Sequence, residues 1–286
     1  MRCPKILVGA FVFALATSNF VASAQIPIGD GVQTLKPKGI PIEVFTYRPK
    51  EVKDGPILFV IHGIDRNPDT YRDNAKVLAD RLGMIVVAPH FDKQRFRTDS
   101  FQYGGIVEKG LLRPRETWTA DLLLELANII RAAEGNPAQK SYFVGHSAGA
   151  QLLSRIAAFS QIGATRIVIS NPSSHVFPDL SRQFPYGFGG PTASLGGVEH
   201  MKIYLAQPIT VFVGKNDLGS EHRDDSQGAV AQGVTRYERS INYYNAGRGL
   251  AERNGWPFAW RLVEVPGVGH NAKAMFSSRM AAEAFK

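Results

Sequence analysis

The pentapeptide Gly145-His146-Ser147-Ala148-Gly149 has the pattern G-x-S-x-G, which can present a serine hydroxyl for chemistry. An apolar, strand-like run precedes it, and a helix-like segment follows it. In that setting the serine lies on a strained strand-to-helix turn, and its hydroxyl projects from the sheet edge toward a base and a substrate. The alternative is a glycine-rich turn whose serine does no chemistry. We expect Ser147 to be a catalytic nucleophile.

A serine hydroxyl is a poor nucleophile unless a neighbouring base takes its proton. His270 is the candidate base, because it lies in a glycine-containing loop just after the strand-like run Leu262–Val265. A structural or surface role is the alternative for any single histidine. We expect His270 to accept the proton of Ser147 and to return it to the leaving group.

Asp217 lies just past the apolar run Thr210–Val213, where a strand end would turn into a loop. A carboxylate there can accept a hydrogen bond from His270, fix its tautomer and stabilise the imidazolium that forms. A turn or helix-capping role is the alternative, and Asp224 and Asp225 are rivals that lie further from the strand. We expect Asp217 to be the acid that orients the histidine.

The oxyanion of a tetrahedral intermediate needs two hydrogen-bond donors. One is expected to be the backbone N–H of Ala148, directly after the nucleophile. The other should come from the loop after the early buried strand, which begins His62-Gly63-Ile64. Gly63 permits a backbone geometry that aims an N–H inward, so we expect Ile64 to be the second donor and His62 to support the loop.

Strand-like and helix-like segments alternate along the chain, which predicts an α/β fold with a mostly parallel central sheet. No internal repeat and no linker divides the chain, so we expect a single domain over residues 25–286. The predicted strands cover residues 42–47 (an edge strand), 57–61, 84–88, 142–144, 166–170, 209–213 and 260–265, and the predicted helices cover residues 68–82, 117–133, 151–158, 233–252 and 272–285.

Two long segments, Phe91–Arg115 and Asn171–Pro208, fit neither pattern and carry several aromatic residues. Long irregular segments in compact domains are usually lids or binding loops. Both follow strand ends, where ligands of open α/β sheets bind. They are expected to form the walls of a substrate cleft, unless their aromatic residues simply seal the sheet edge.

The first 24 residues are typical of a secretory signal peptide, with Arg2 and Lys5 ahead of the apolar run Ile6–Ala16 and a small-residue cleavage site at 22–24. An uncleaved anchor is the alternative. No later segment is apolar enough over a sufficient length to span a bilayer. We expect a secreted or periplasmic protein without stable membrane insertion after signal cleavage.

The composition excludes several other classes. The single cysteine, Cys3, lies within the predicted signal, which leaves no thiol for disulfides or thiolate metal sites in the exported chain. The formal charge is +8, but its basic residues are scattered and no nucleic-acid motif appears. Zinc-hydrolase histidine spacings and glycine-rich phosphate loops are absent from the sequence. We expect no cofactor, no metal and no nucleic-acid partner, and the sequence indicates no oligomeric state.

These features resemble the α/β-hydrolase superfamily, in which serine, acid and histidine follow one another in this order. Within it, the sequence Ile61–Asn67 followed by Tyr71-Arg72-Asp73 is similar to exported esterases related to polyhydroxybutyrate depolymerases and feruloyl esterases. The resemblance implies helices on both faces of the sheet, lid-like insertions, and hydrolysis of carboxylic esters through an acyl-enzyme intermediate. Extracellular polyester depolymerases often carry cysteines and separate binding domains, so a small or oligomeric ester is the expected substrate.

Two alternatives remain open at this point. A serine peptidase or amidase could use the same triad, because the fold does not decide the leaving group. A non-catalytic binding protein could also have kept the scaffold.

Overall fold

The computed structural model describes residues 25–286, and the predicted signal peptide lies outside the described residues. The strands are β1 (Gly29–Leu35), β2 (Ile42–Arg48), β3 (Ile57–Ile61), β4 (Ile85–Pro89), β5 (Val107–Glu108), β6 (Leu111–Leu112), β7 (Ser141–His146), β8 (Arg166–Ser170), β9 (Ile209–Gly214) and β10 (Arg261–Val265). The α-helices are α1 (Pro68–Leu82), α2 (Thr119–Ala133), α3 (Ala148–Phe159), α4 (Gly197–Leu205), α5 (Gln227–Val230), α6 (Arg236–Asn254) and α7 (Ala272–Ser277).

Eight strands form one sheet in the order β1-β2-β4-β3-β7-β8-β9-β10. The six strands from β4 to β10 in this order pair in parallel, whereas β2 runs antiparallel to both of its neighbours. The mostly parallel sheet confirms the predicted α/β fold. Because the parallel strands all end at one edge, the loops that follow β3, β7, β9 and β10 are brought together there.

Helices cover both faces of the sheet and create two hydrophobic cores. Along β3, Phe59 and Ile61 pack into one core with α2, α3 and α6, whereas Leu58 and Val60 pack into the other with α1 and α7. Successive side chains of a strand point to opposite faces, so a strand covered on both sides must be apolar throughout. The continuous apolar runs in the sequence are a consequence of this double coverage.

The structure corrects the prediction that strand 42–47 lies at the edge of the sheet. The strand β1 pairs with β2 along its whole length and is itself the edge strand. Its sequence begins Gly-Asp-Gly, and its residues alternate between half-buried and exposed up to the buried Leu35. Glycine weakens a strand, so pairing with β2, rather than local propensity, holds this segment extended.

Four of the five predicted helices have different bounds in the structure. The helix α2 begins at Thr119 rather than at residue 117, and α3 covers Ala148–Phe159 rather than residues 151–158. The helix α6 begins at Arg236 rather than at residue 233, because Thr235 and Glu238 form a capping box at its start. The helix predicted over residues 272–285 is wrong in its second half, since α7 ends at Ser277 and a separate 3-10 turn covers Ala282–Phe285. Serine hydroxyls compete for backbone hydrogen bonds and favour such helix ends.

The two segments predicted to be irregular contain short elements. The first holds the small hairpin of β5 and β6, and the second holds α4. Several of their aromatic side chains are buried in the core, namely Phe91, Phe96, Phe101, Phe177 and Phe188. Tyr103 and Phe184 meet edge to face between the two segments, with ring centroids 6.4 Å apart. The segments therefore seal the core and also contact each other. Within residues 25–286, no helix combines the length and the apolar character needed to cross a membrane.

Candidate active site

Ser147 occupies a strained turn at the end of β7. Its backbone has φ of 56° and ψ of −118°, and α3 begins at the next residue. A non-glycine residue at positive φ is uncommon and costs about 1–3 kcal/mol. Its N–H donates to the Ser170 carbonyl at 3.0 Å, which ties the turn to the end of β8. The serine is buried except for 8% of its surface.

The two glycines of the pentapeptide are required by close backbone packing. A Cβ on Gly145 would lie 2.4 Å from the carbonyl carbon of Gly149. A Cβ on Gly149 would lie 2.3 Å from the carbonyl oxygen of Ile61, at the end of β3. Both distances are far below van der Waals contact, so larger residues would push the helix α3 off the sheet. The sequence pattern therefore reflects the packing of β7, α3 and β3.

His270 and Asp217 lie together, as the sequence predicts. The His270 Nδ1 lies 2.8 Å from Asp217 Oδ2. The rivals have other partners: Tyr186 donates to Asp224 at 3.0 Å, and Arg223 pairs with Asp225 at 2.7 Å. The structure therefore selects Asp217 from the three aspartates as the partner of the histidine.

Asp217 is buried and has two further partners that the sequence did not single out. Asn171 donates its side-chain amide to Oδ2 at 2.6 Å, and the buried guanidinium of Arg236 lies 3.5 Å from Oδ1. Burial raises the pKa of Asp217, but His270, Asn171 and Arg236 outweigh it and hold the pKa below its usual value. The carboxylate is therefore ionised near neutral pH. Asn171 directly follows β8, and this position at the carboxyl end of a strand could have identified it as a site residue from the sequence. No local sequence feature distinguishes Arg236 from the other arginines.

The ring of His270 lies beside the ring of His146, the residue that precedes Ser147. Its centroid is 4.8 Å from that of the buried His146 ring. Since Asp217 engages Nδ1, Nε2 is the ring nitrogen left for Ser147. No hydrogen bond joins His270 to the Ser147 hydroxyl among the described residues, and such contacts commonly tighten only when substrate is bound.

A buried chain of hydrogen bonds links the serine turn to the acid. The His146 Nδ1 lies 3.2 Å from the Ser170 hydroxyl, which donates to the Asn171 side-chain oxygen at 3.2 Å. Burial, and the charge of His270 to a lesser extent, lower the pKa of His146 to about 3, so its ring is neutral. Asn171 has φ of 51°, a left-handed conformation that asparagine tolerates better than most residues. This series of hydrogen bonds ends at Asp217 and orients its carboxylate.

The loop after β3 is held by His62. The Phe91 N–H donates to His62 Nε2 at 3.0 Å, so the ring proton lies on Nδ1, which is 3.0 Å from the Gly63 carbonyl oxygen. The Arg66 N–H donates to the same carbonyl at 3.3 Å. In a planar trans peptide the N–H points opposite to the C=O. The pinned carbonyl therefore directs the Ile64 N–H the other way, and His62 supports the loop as expected.

This loop lies directly beside Ser147. A Cβ on Gly63 would lie 3.7 Å from the Ser147 Cβ and 2.7 Å from the Tyr71 hydroxyl. Ala148 is the first residue of α3, and the first N–H groups of a helix have no partner within it. The structure thus places Ile64 and Ala148 on two segments that meet at Ser147. Their donation to an oxyanion stays a prediction.

No group of three or more metal-ligating side chains is present in the part of the chain that the structure describes. Four histidines lie outside the triad, the Gly145–Gly149 turn and the loop after β3, and they are dispersed along the sequence: His90, His175, His200 and His222. His175 is buried against Tyr243, with ring centroids 4.1 Å apart, and its Nε2 lies 3.1 Å from Ser240 Oγ.

Comparison with solved structures identifies the family. The poly(3-hydroxybutyrate) depolymerase LpqC of Bordetella parapertussis is 32% identical, with 87% of this chain and 88% of that chain covered and a TM-score of 0.80. The poly(aspartic acid) hydrolase-1 of Sphingomonas sp. KT-1 is 29% identical over 91% of this chain and 100% of that chain, with a TM-score of 0.83. The siderophore hydrolase EstA of Aspergillus nidulans, 11% identical over 96% and 99% of the chains with a TM-score of 0.53, shares the fold.

The chain therefore belongs to the α/β-hydrolase superfamily, as its motifs indicate. Within it, the neighbours that cover most of this chain are hydrolases and esterases, which supports hydrolase activity here. No family model matches the sequence, and no curated protein matches it.

Proposed function

We propose that this protein is an exported serine hydrolase that cleaves carboxylic esters with a triad of Ser147, His270 and Asp217. The Ser147 hydroxyl attacks the ester carbonyl while His270 Nε2 takes its proton. His270 then returns the proton to the leaving alcohol, and an acyl-enzyme remains. A water molecule, activated by the same histidine, releases the acid and restores the serine.

The observation that carries this proposal is the Asp217–His270 hydrogen bond of 2.8 Å beside a serine with strained backbone. Asp217 holds the ring with Nδ1 protonated and stabilises the imidazolium formed when Nε2 takes a proton. The N–H groups of Ile64 and Ala148 stabilise the oxyanion. A single donor of this kind contributes about 3–4 kcal/mol to the transition state.

Fluorophosphonate labelling of the purified protein, followed by mass spectrometry, tests the proposal. A single adduct on Ser147 is expected, together with hydrolysis of 4-nitrophenyl esters. The Ser147→Ala variant, checked for native folding by circular dichroism, should lose both. A folded wild-type protein that is neither labelled nor active would favour a binding protein on the hydrolase scaffold. Full hydrolytic activity in Ser147→Ala would also exclude the proposed nucleophile.

A second candidate is amide hydrolysis by the same residues. The similarity to a poly(aspartic acid) hydrolase over the whole of that chain favours it. Substrates with one acyl group in ester or amide linkage to the same aromatic leaving group separate the two functions. A ratio of amide to ester turnover far above that of the uncatalysed reactions would identify an amidase or peptidase. Preferential ester cleavage would support the first proposal with a small or oligomeric ester.

Export is tested by the mass of the protein recovered outside the cytoplasm. Cleavage after Ala24 predicts a mature chain that begins at Gln25. A protein that keeps its first 24 residues and sediments with membranes would instead identify an uncleaved anchor.

A further inference from the structure

Arg66 belongs to the turn that presents the proposed oxyanion donor Ile64. Its own N–H closes the turn by donating to the Gly63 carbonyl, and its φ is 61°. Its side chain packs against the segment Phe91–Arg115, which follows β4. One guanidinium nitrogen donates to the Phe91 carbonyl at 2.7 Å, and the group lies 3.8 Å from the centroid of the Phe101 ring. The guanidinium is therefore fixed close to the loop that carries Ile64.

Arg66 forms no ion pair with a carboxylate among the described residues. The side chain belongs to a residue that is only 8% exposed. Within residues 25–286, no acidic side chain lies within 4.0 Å of it, and its Nε is buried without any hydrogen bond. The neighbouring Asp92 is instead engaged by Arg95 at 2.6 Å. A guanidinium has five N–H groups, and Arg66 uses only a small part of this capacity.

Other buried arginines in the described residues make more polar contacts than Arg66, although the Nε of Arg155 is likewise buried without a hydrogen bond. Arg48 pairs with the buried Glu134, and Arg236 pairs with Asp217. Arg155 has no carboxylate partner within residues 25–286, but its guanidinium donates to the carbonyls of Gln151, Ser174 and Pro185 and to the Ser174 hydroxyl. These contacts hold the segment after β8 in place. Arg66 differs because its single carbonyl contact leaves most of its donors free.

An unpaired buried charge is costly, and titratable groups whose pKa is strongly shifted by burial cluster at functional sites. We propose that Arg66 binds a carboxylate group of the substrate, so that the preferred substrates are esters or amides that carry a carboxylate near the cleaved bond. This inference rests on the proposed function. Burial lowers the pKa of Arg66 to about 10, although the charge of Asp92 partly offsets this effect, and the group stays charged near neutral pH. Packing on Phe101 pre-orients the planar group for bidentate contact with a carboxylate.

Two matched pairs of chromogenic esters test the inference. The first compares 4-nitrophenyl hydrogen glutarate with 4-nitrophenyl pentanoate, which differ by a carboxylate in the acyl chain. The second compares 3-carboxy-4-nitrophenyl butyrate with 4-nitrophenyl butyrate, which differ in the leaving group. Each kcat/KM is divided by the rate constant for hydroxide-catalysed hydrolysis. The wild type should prefer the charged member of at least one pair roughly 10- to 100-fold, the range of a hydrogen bond between charged groups.

In the variant Arg66→Gln, the ratio of the normalised kcat/KM for the charged ester to that for the uncharged ester should be close to one. The matched control is Lys93→Gln, which removes the same charge from an exposed residue of the neighbouring segment and should leave the ratio unchanged. Equal use of both members of each pair by the wild type would overturn the inference while leaving the proposed function intact. An equal loss of this preference in Arg66→Gln and Lys93→Gln would also overturn the inference, because it would indicate long-range attraction between the substrate and the positive charge of the protein. Failure to label Ser147 would refute the proposed function itself.

Discussion

Replacing Asn171 by glycine is expected to weaken catalysis without straining the backbone. The Asn171 amide donates at 2.6 Å to Asp217 Oδ2, the oxygen that also accepts from His270 Nδ1. A hydrogen bond to a charged group contributes about 1.5–3 kcal/mol. If that contribution orients the acid in the transition state, its loss lowers kcat/KM roughly 10- to 100-fold. Glycine accepts the φ of 51° found here.

The titration of Asp217 should change in a defined direction. Asn171 is one of the groups that hold the pKa of Asp217 below its usual value, so removing it raises that pKa. Asp217 should therefore take up its proton at a higher pH in Asn171→Gly than in the wild type as the solution is acidified. The assays are kcat/KM for a 4-nitrophenyl ester near neutral pH, and the titration of the Asp217 carboxyl carbon followed by NMR in acid, in the wild type and Asn171→Gly.

Asn171→Ala is the matched variant, since it loses the same hydrogen bond but must place a Cβ at positive φ. It should show the same loss of activity as Asn171→Gly and an additional loss of unfolding free energy of about 1–2 kcal/mol, measured in urea. A folded Asn171→Gly protein with unchanged kcat/KM and an unchanged titration of Asp217 would refute the reasoning. In that case the amide would only support the loop after β8.

Three further changes test the packing and the charges. Gly149→Ala should destabilise the fold and abolish labelling of Ser147, because the new Cβ would lie 2.3 Å from the Ile61 carbonyl oxygen; retention of wild-type melting and labelling would contradict this. Glu134→Ala leaves the buried Arg48 unpaired and should cost about 3–5 kcal/mol in urea unfolding, whereas an unchanged midpoint would show that the pair contributes little. The folded-state pKa of Asp217 lies below its ordinary value of 3.8, so its stabilising effect is present above pH 3.8 and is lost as the pH falls through the lower, folded-state value. The difference in unfolding free energy between wild type and Asp217→Asn should therefore diminish only in strong acid; a difference that is constant with pH would exclude this linkage.

The sequence alone determined the features that depend on neighbouring residues. The apolar runs locate the central strands, because a strand covered on both faces must be apolar throughout. The spacing of the glycines around Ser147 indicates a strand-to-helix turn, in which the two glycine positions leave no room for a larger side chain. Chain order and strand ends were sufficient to select His270 and Asp217, which the structure brings to 2.8 Å.

Only the tertiary structure decided which distant groups meet. Arg236 reaches Asp217 from the start of α6, and Asn171 reaches it from the end of β8. The edge strand β1 exists through its pairing with β2 rather than through its own glycine-rich sequence. The sequence also did not show whether Arg66 forms an ion pair, because each acidic residue near it in the sequence can pair with another basic residue. Burial and charge pairing depend on segments far apart in the chain, and one sequence specifies them only through the complete fold.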